Sequence, residues 1–230
     1  MWSEEFSRLY IGRSWDYYLD PPRSGRFNME RDLELLENCS NPALRLYCWS
    51  HPTLSLGRNQ RDDWVDYSKC NSLGVEVVRR PTGGRALLHL PSEITYAVIL
   101  PDVANMGISE LFTSIAYTLA LSLQKLGLPV ETSEQGHIPG SHSAPSCLAV
   151  TAPGEVIARG RKLVGSAQVR KGERLLQHGV IVRSYDEQLL QAVIPGARAE
   201  MDLKTLGFES LEARDIMESW QKVVRMCPHR

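Results

Sequence analysis

The sequence predicts an α+β fold in which a mixed, largely antiparallel β-sheet is flanked by helices. Short alternating runs of apolar residues, separated by Gly and Pro turns, predict strands through the middle of the chain. Longer segments with apolar residues every three or four positions predict helices between and after those strands. Strands joined by tight turns pair as antiparallel neighbours, and amphipathic helices cover a face of such a sheet.

The first half of the chain carries two predicted helices and four predicted strands. Asn28 is a suitable N-cap for a helix over 28–39, whose apolar residues recur at helical spacing. Alternation predicts a strand over 44–49, and a short helix is predicted over 63–72, ended by Gly74. The next three runs, predicted as strands, are 75–80, 85–90 and 94–100.

The second half combines helices with two predicted hairpins. Residues 109–125 form the longest helical pattern, an apolar stripe that stops at Gly127. Tight turns are predicted at 159–160 (Arg-Gly) and 171–172 (Lys-Gly). The remaining predicted elements are strands over 147–150, 155–158, 162–169 and 175–182, and helices over 186–193 and 209–226.

Length and composition predict one domain. The chain has 230 residues, of which 43% are hydrophobic and 23% are charged. A chain of this size can bury a substantial core without disulfides or metals, and no change in composition marks a boundary. We therefore expect a single domain over 1–230, with 186–230 as a helical C-terminal extension.

Charge, hydropathy and cysteine usage predict a cytoplasmic protein without a metal site. The net charge of −1 gives no general reason to expect nucleic acid or an anionic membrane as a partner. No apolar run reaches the roughly 20 residues that span a bilayer, and the polar segment 1–26 does not resemble a signal peptide. The five cysteines are scattered without a C-x-x-C pair, and the six histidines are equally scattered.

The most distinctive segment is 79–85, Arg-Arg-Pro-Thr-Gly-Gly-Arg, with a histidine at 89. Two cations end a predicted strand, and the glycine pair lets backbone N–H groups approach a ligand oxygen because no Cβ stands in the way. The alternative is a tight hairpin with solvated arginines. The candidate substrate-binding residues of this segment are Arg79, Arg80, Thr82, Gly83, Gly84 and His89.

A second segment places a lysine at the start of a strand of small residues. Lys162 is followed by Gly165 and Ser166, and small strand residues often mark a point where a ligand passes closely. The alternative is an ordinary hairpin with a surface lysine. Further on, His178 and Gly179 interrupt an apolar strand, which indicates a bulge or a ligand-facing kink, or else a buried histidine with a backbone partner.

Cys147 is the candidate nucleophile. A lone cysteine is more often a small buried hydrophobe, but a nearby lysine lowers the pKa of a thiol and favours the reactive thiolate. Lys162, on a neighbouring predicted strand, is the candidate for that charge. We expect Cys147 and Lys162 to form a catalytic pair if the fold brings them together.

In this order the segments resemble the lipoate/biotin protein ligase and octanoyltransferase superfamily. The motifs are Arg-Arg-x-Thr-Gly-Gly-Arg-Ala-x-x-His at 79–89, Gly-Arg-Lys-x-x-Gly-Ser-Ala-Gln at 160–168 and Leu-Gln-His-Gly at 176–179. The similarity covers roughly residues 25–185. It implies the α+β catalytic-domain fold of that superfamily, which is class II synthetase-like.

Within the superfamily, the chain most resembles the cysteine-dependent octanoyl-[acyl carrier protein]:protein N-octanoyltransferases. These enzymes place their nucleophile where this chain has Cys147, whereas lipoate ligases typically have an Asn-Asp pair there. The stretch 93–96, Glu-x-Thr-Tyr, is also similar to the transferases. The chain departs from their pattern directly after the cysteine, at 148–149, and again at 153–154.

The resemblance implies an acyltransferase of lipoate biosynthesis and protein lipoylation. An octanoyl or lipoyl group passes from acyl carrier protein through a Cys147 thioester to a lysine of a lipoyl-carrier protein, which is the glycine cleavage H protein or an E2 lipoyl domain. Lys162 assists, and no cofactor is required. The alternatives are a lipoate–protein ligase that uses ATP and Mg, an amidotransferase acting between lipoyl proteins, and a non-catalytic module that binds lipoyl domains.

Overall fold

The computed structural model of the protein describes residues 9–10, 12–91, 93–134, 153–198 and 201–226. Within these ranges the strands are β1 (Asp16–Leu19), β2 (Ala43–Tyr47), β3 (Thr53–Leu56), β4 (Glu76–Arg79), β5 (Leu87–His89), β6 (Ile94–Leu100), β7 (Val130–Thr132), β8 (Val156–Ala158), β9 (Arg161–Lys162), β10 (Val164–Lys171) and β11 (Arg174–Ile181). The helices are α1 (Gly25–Asn38), α2 (Tyr67–Ser72), α3 (Ile108–Lys125), α4 (Glu187–Val193), α5 (Leu203–Leu206) and α6 (Ala213–Arg225).

A mixed five-stranded sheet, in the order β1-β2-β6-β11-β10, forms the centre of the fold. Strands β1 and β2 pair in parallel, and the other neighbours are antiparallel. Two smaller sheets accompany it, in the orders β4-β3-β5 and β7-β8-β9. The predicted α+β fold with a mixed, largely antiparallel sheet is confirmed.

The central sheet is buried on both faces. On one face α3 and α6 pack against it, and Tyr96, Leu119 and Trp220 belong to the same core cluster. On the other face α1 packs, and a second cluster contains Met29 and Ala97. Because a strand covered on both sides has no solvent face that favours polar residues, β6 is buried over its whole length.

Two tight hairpins set the register around the later strands, as predicted. Arg159 and Gly160, both with positive φ of 50° and 73°, turn the chain from β8 into β9. Gly172, with φ of 59°, lies in the turn between β10 and β11. These turns need left-handed backbone conformations, which Gly adopts without a steric penalty.

The start of α1 differs from the prediction. The N-cap is Ser24, whose Oγ accepts from the backbone N–H of Phe27 at 3.3 Å, and not Asn28. Asn28 lies inside the helix and is fully buried, with its side-chain oxygen accepting from Arg45 at 2.8 Å. Ser and Asn are comparable caps, so the choice depended on a tertiary partner that the local sequence does not reveal.

Four short elements were not predicted. They have three or four residues each, too few for an alternating or helical period to be recognised; they are β1, β3, β7 and α5. The predicted strand over 147–150 lies outside the described residues. Across the part of the chain that is described, no helix has both the length and the apolar character required to cross a bilayer.

Candidate active site

A pocket, open at its mouth, lies between α1, the β4-β3-β5 sheet and the central sheet. Its wall combines apolar and aromatic side chains with a few polar groups, as is typical of small-ligand sites. The lining residues are Met29, Tyr47, Trp49, Ser55, Arg80, Leu87, His89, Thr95, Gly165, Ser166, Ala167, His178, Gly179 and Val180.

Half of the candidate residues from the sequence meet in this wall. They come from three separate segments, and the antiparallel pairing of Ser166 with Gly179 brings two of these segments side by side. The candidates that line the pocket are Arg80, His89, Gly165, Ser166, His178 and Gly179. Their role in binding substrate remains a prediction.

Arg79 is engaged at a different place. Its guanidinium donates to the carbonyl oxygens of Gly57 and Gln60 at 2.8 and 2.7 Å and pairs with Asp62 at 3.0 Å. The side chain is 38% exposed. These contacts tie β4 to the loop that follows β3.

Arg80 clamps the loop that carries the glycine pair. Its guanidinium donates to the carbonyl oxygens of Gly83 and Arg85 at 2.8 and 2.7 Å, and to that of Ser55 at 3.0 Å. Gly84 has φ of 93°. Its carbonyl oxygen lies so close to Gly57 that a Cβ added to Gly57 would be 1.9 Å from that oxygen. The shape of this loop is therefore set by the protein before any ligand binds.

Lys162 is a buried cation held by a buried carboxylate. Its Nζ lies 2.6 Å from Oε1 of Glu155, and the two side chains are only 2% and 5% exposed. Ser133 holds the backbone of Glu155 through two hydrogen bonds. The Ser133 N–H donates to the Glu155 carbonyl at 2.8 Å, and the Glu155 N–H donates to Oγ of Ser133 at 3.1 Å. Burying two charges is costly unless they are paired with good geometry. The alternative of a surface lysine is therefore wrong.

Tyr96 is a buried phenol that contacts Ser166 of the pocket wall. Its hydroxyl forms a 2.8 Å hydrogen bond with Ser166 and accepts from Gln177 at 3.1 Å. Burial raises the pKa of Tyr96 to about 12, an effect that the two hydrogen bonds oppose and the Glu155 carboxylate increases. The phenol therefore stays protonated at neutral pH, next to the strand that lines the pocket.

His89 is held neutral in the pocket wall. It stacks on Trp49 with ring centroids 4.0 Å apart, and its Nε2 lies 2.9 Å from Oγ of Ser55. Burial, followed by the charges of Arg80 and His178, holds the pKa of His89 well below its usual range. Its Nδ1 faces Oε2 of Glu93 at 3.3 Å. Burial raises the pKa of the Glu93 carboxyl well above its usual range, because burial disfavours the charged form of either group.

Thr82 and His178 contact each other directly. Oγ1 of Thr82 lies 2.7 Å from Nε2 of His178, and Nδ1 of His178 lies 2.8 Å from the carboxylate of Asp32. The predicted bulge at 178–179 is wrong, because β11 pairs without interruption with both β6 and β10. The partners of the buried histidine are side chains, not the backbone.

Gly179 leaves no room for a side chain. A Cβ there would lie 2.6 Å from the carbonyl oxygen of Gly165, 2.7 Å from the Tyr96 ring and 2.9 Å from Oγ of Ser166. Gly179→Ala is expected to destabilise the fold by about 1–3 kcal/mol, because the neighbours must move apart. The matched change is Gly83→Ala, whose Cβ meets nothing within 4 Å. Equal unfolding free energies of the two variants in urea would contradict this prediction.

Cys147 lies outside the described residues, so its pairing with Lys162 remains a prediction. The sequence analysis missed three functional candidates, namely Asp32, the hydroxyl of Tyr96, and Glu155 as the partner of Lys162. The sequence could have indicated Asp32, since it is a carboxylate on the same helical face as the apolar Met29 and Leu36.

Among the described residues, no cluster of His, Cys, Asp and Glu side chains is arranged to hold a metal.

The fold and the site define a class of protein. Residues 24–219 match the lipoyl protein ligase A/B catalytic domain, and the chain belongs to that family. Two solved structures share the fold: lipoate-protein ligase A bound with ATP (TM-score 0.76, 20% identity, 93% of this chain and 85% of that one), and a bi-partite lipoate protein ligase from Thermoplasma acidophilum (TM-score 0.70, 18% identity, 94% and 84%). The predicted superfamily fold is confirmed.

The chain is also similar to curated proteins of one branch of this family, the octanoyltransferases. The chain is 41% identical over 201 residues to the octanoyltransferase LipM of Carboxydothermus hydrogenoformans, covering 84% of this chain and 69% of the relative. It is 40% identical over 168 residues to that of Moorella thermoacetica, covering 70% and 61%. The chain thus spans about two thirds of the length of these relatives. They confirm the predicted branch and the predicted enzyme class, an acyltransferase.

Proposed function

We propose that this protein transfers an octanoyl group from acyl carrier protein, through a thioester on Cys147, to a lysine of a lipoyl-carrier protein in the cytoplasm. The acceptor is the glycine cleavage H protein or an E2 lipoyl domain. The observation that carries the proposal is the buried pair of Lys162 and Glu155, in a chain that is related to octanoyltransferases and has a largely apolar pocket.

The pocket suits an acyl chain. Met29, Trp49, Leu87 and Val180 offer apolar surface to a hydrocarbon tail, and each methylene removed from water contributes about 0.8 kcal/mol. The wall also carries polar groups, and its small residues Gly165 and Ser166 leave room for a carbonyl. An acyl thioester has an apolar tail and a polar head, and the wall offers contacts to both.

The first chemical step exchanges one thioester for another. The Cys147 thiolate attacks the carbonyl carbon of the octanoyl-carrier, the carbon–sulfur bond to the carrier breaks, and the carrier thiol leaves after taking a proton. Bond types are conserved, so this step is close to energetic balance. Lys162, whose charge favours the thiolate, is the group that assists.

The second step forms an amide. The amine of the acceptor lysine attacks the acyl-Cys147 carbonyl, the carbon–sulfur bond breaks, and a proton passes from nitrogen to the departing thiolate. Backbone N–H groups near Gly83, Gly84 and Gly165 are the candidates to hold the developing oxyanion, and each such donor contributes about 3 kcal/mol. A thioester is more reactive than an amide, so the step runs downhill without ATP.

The test compares energy sources and donors. Purified protein is incubated with an apo lipoyl domain and either octanoyl-acyl carrier protein without nucleotide, free octanoate or lipoate with ATP and Mg, or a lipoylated H protein. Modification of the acceptor, measured by intact mass, is expected with the carrier-bound donor alone. Modification that requires ATP would establish the ligase alternative, and use of the H protein donor alone would establish the amidotransferase.

A further inference from the structure

We propose that Asp32 and His178 are positioning residues that act through Thr82 to hold the glycine loop, residues 82–85, which in turn holds Arg80 in the pocket wall. This inference rests on the proposed function. It assigns a task to a buried polar chain that neither the nucleophile nor the Lys162 pair explains.

The chain of contacts runs through three elements. Oδ2 of Asp32, on α1, lies 2.8 Å from Nδ1 of His178 on β11, and Nε2 of His178 lies 2.7 Å from Oγ1 of Thr82 at the start of the glycine loop. Asp32 and Thr82 have no exposed surface, and His178 is 5% exposed. Only His178 of the three lines the pocket.

The carboxylate end is anchored independently. Arg45, itself fully buried, donates to Oδ1 of Asp32 at 2.7 Å, and the Tyr47 hydroxyl donates to Oδ2 at 3.2 Å. Asp20 and the side chain of Asn28 accept from the remaining guanidinium nitrogens at 2.7 and 2.8 Å. An ionised carboxylate only accepts hydrogen bonds, so Nδ1 of His178 donates to it. This bond fixes the ring with Nε2 facing Thr82.

A carboxylate, an imidazole and a hydroxyl in this order also occur in acyl-transferring triads. Thr82 is not such a nucleophile, because its side chain is fully buried and is not part of the pocket wall. Its carbonyl accepts from the N–H of Arg58 at 2.8 Å, so Thr82 is fixed through both backbone and side chain. The chain therefore ends on a loop anchor rather than on a reactive group.

The glycine loop is thus held at two levels. Arg80 binds its carbonyl oxygens at Gly83 and Arg85, while His178 holds the side chain of Thr82. Groups of the pocket wall that orient the acyl donor must be in place before the reaction, since a displacement of about 1 Å costs roughly 10²-fold in rate. The inference is that His178 and Asp32 supply this rigidity from β11 and α1.

The direct test is a pair of substitutions at Thr82. Thr82→Val keeps the shape but removes the hydroxyl and is expected to lower kcat for octanoyl transfer about 10- to 100-fold, with KM for the octanoyl-carrier little changed. Thr82→Ser restores the hydroxyl and should recover kcat to within a few-fold. The matched control is Thr118→Val. Thr118 lies on α3, and its buried hydroxyl is hydrogen-bonded to the Tyr10 hydroxyl at 2.6 Å. This variant should keep full kcat.

A readout independent of the reaction separates this inference from the proposed function. Hydrogen exchange of the loop amides in the ligand-free protein should accelerate in Thr82→Val and His178→Gln, but not in Thr118→Val. Accelerated exchange in a protein whose wild type transfers nothing would reject the proposed function and leave the positioning role intact. Wild-type exchange together with wild-type kcat in Thr82→Val would overturn the positioning role, as would an equal loss of kcat in Thr118→Val.

Discussion

Replacing Cys147 by alanine is expected to abolish octanoyl transfer, with a loss of at least about 10³-fold, because the covalent intermediate can no longer form. Cys147→Ser should be nearly as inactive, since a hydroxyl is a much weaker nucleophile than a thiolate at neutral pH. Wild-type protein incubated with octanoyl-acyl carrier protein should gain one octanoyl mass. Neither variant should gain it, and both should unfold at the wild-type temperature.

The matched control is Cys48→Ala. Cys48 is half-buried, and its burial raises the pKa of its thiol, an effect that the charge of Arg183 only partly offsets. A thiol with a raised pKa is mostly protonated at neutral pH and does not compete as a nucleophile. Cys48→Ala should therefore form the adduct at the wild-type level. An adduct that persists in Cys147→Ala and disappears in Cys48→Ala would move the nucleophile to Cys48.

Lys162→Met is expected to slow transfer by at least about 10²-fold, which is the usual contribution of a positioned acid–base or charged group. It should also destabilise the protein by about 3–5 kcal/mol, because the buried Glu155 carboxylate loses the cation that lies 2.6 Å away. Stopped-flow acylation and urea unfolding measure the two effects separately.

The double variant Glu155→Gln with Lys162→Met distinguishes chemistry from folding. Removing both charges eliminates the buried carboxylate that has lost Lys162, so much of the lost stability should return. The transfer rate should not return, because the cation proposed to assist Cys147 is absent. If the double variant regains wild-type transfer together with its stability, Lys162 is a structural residue and the proposed catalytic pair is wrong.

Local patterns were sufficient for much of the fold. The apolar run of β6 and the long stripe of α3 were predicted with nearly the observed ends, and the glycine turns at 160 and 172 marked the hairpins. Such signals arise from neighbours along the chain, where the period of the apolar residues and the need for positive φ are visible directly. Elements of three or four residues, such as β3 and β7, carry too short a period to be recognised.

The candidate site was predictable in its composition but not in its arrangement. The sequence placed Arg80, His89 and Gly179 among the ligand-facing residues, and the pocket contains all three. It did not reveal that Arg80 holds its own loop, because the role of a guanidinium depends on which carbonyl oxygens surround it. Nor did it distinguish a cap at Asn28 from one at Ser24.

By itself, the sequence determined the family, the α+β class and the presence of a glycine loop and a strand lysine, because these follow from residue types at short spacing. Tertiary structure alone decided that Lys162 is buried against Glu155 and that Asp32 reaches His178, 146 residues further along the chain. Contacts over such separations depend on which faces of the sheet are covered and in which register the strands pair. A residue's neighbours along the chain do not specify these choices, so the structure supplied the partners that give the site its charges and its rigidity.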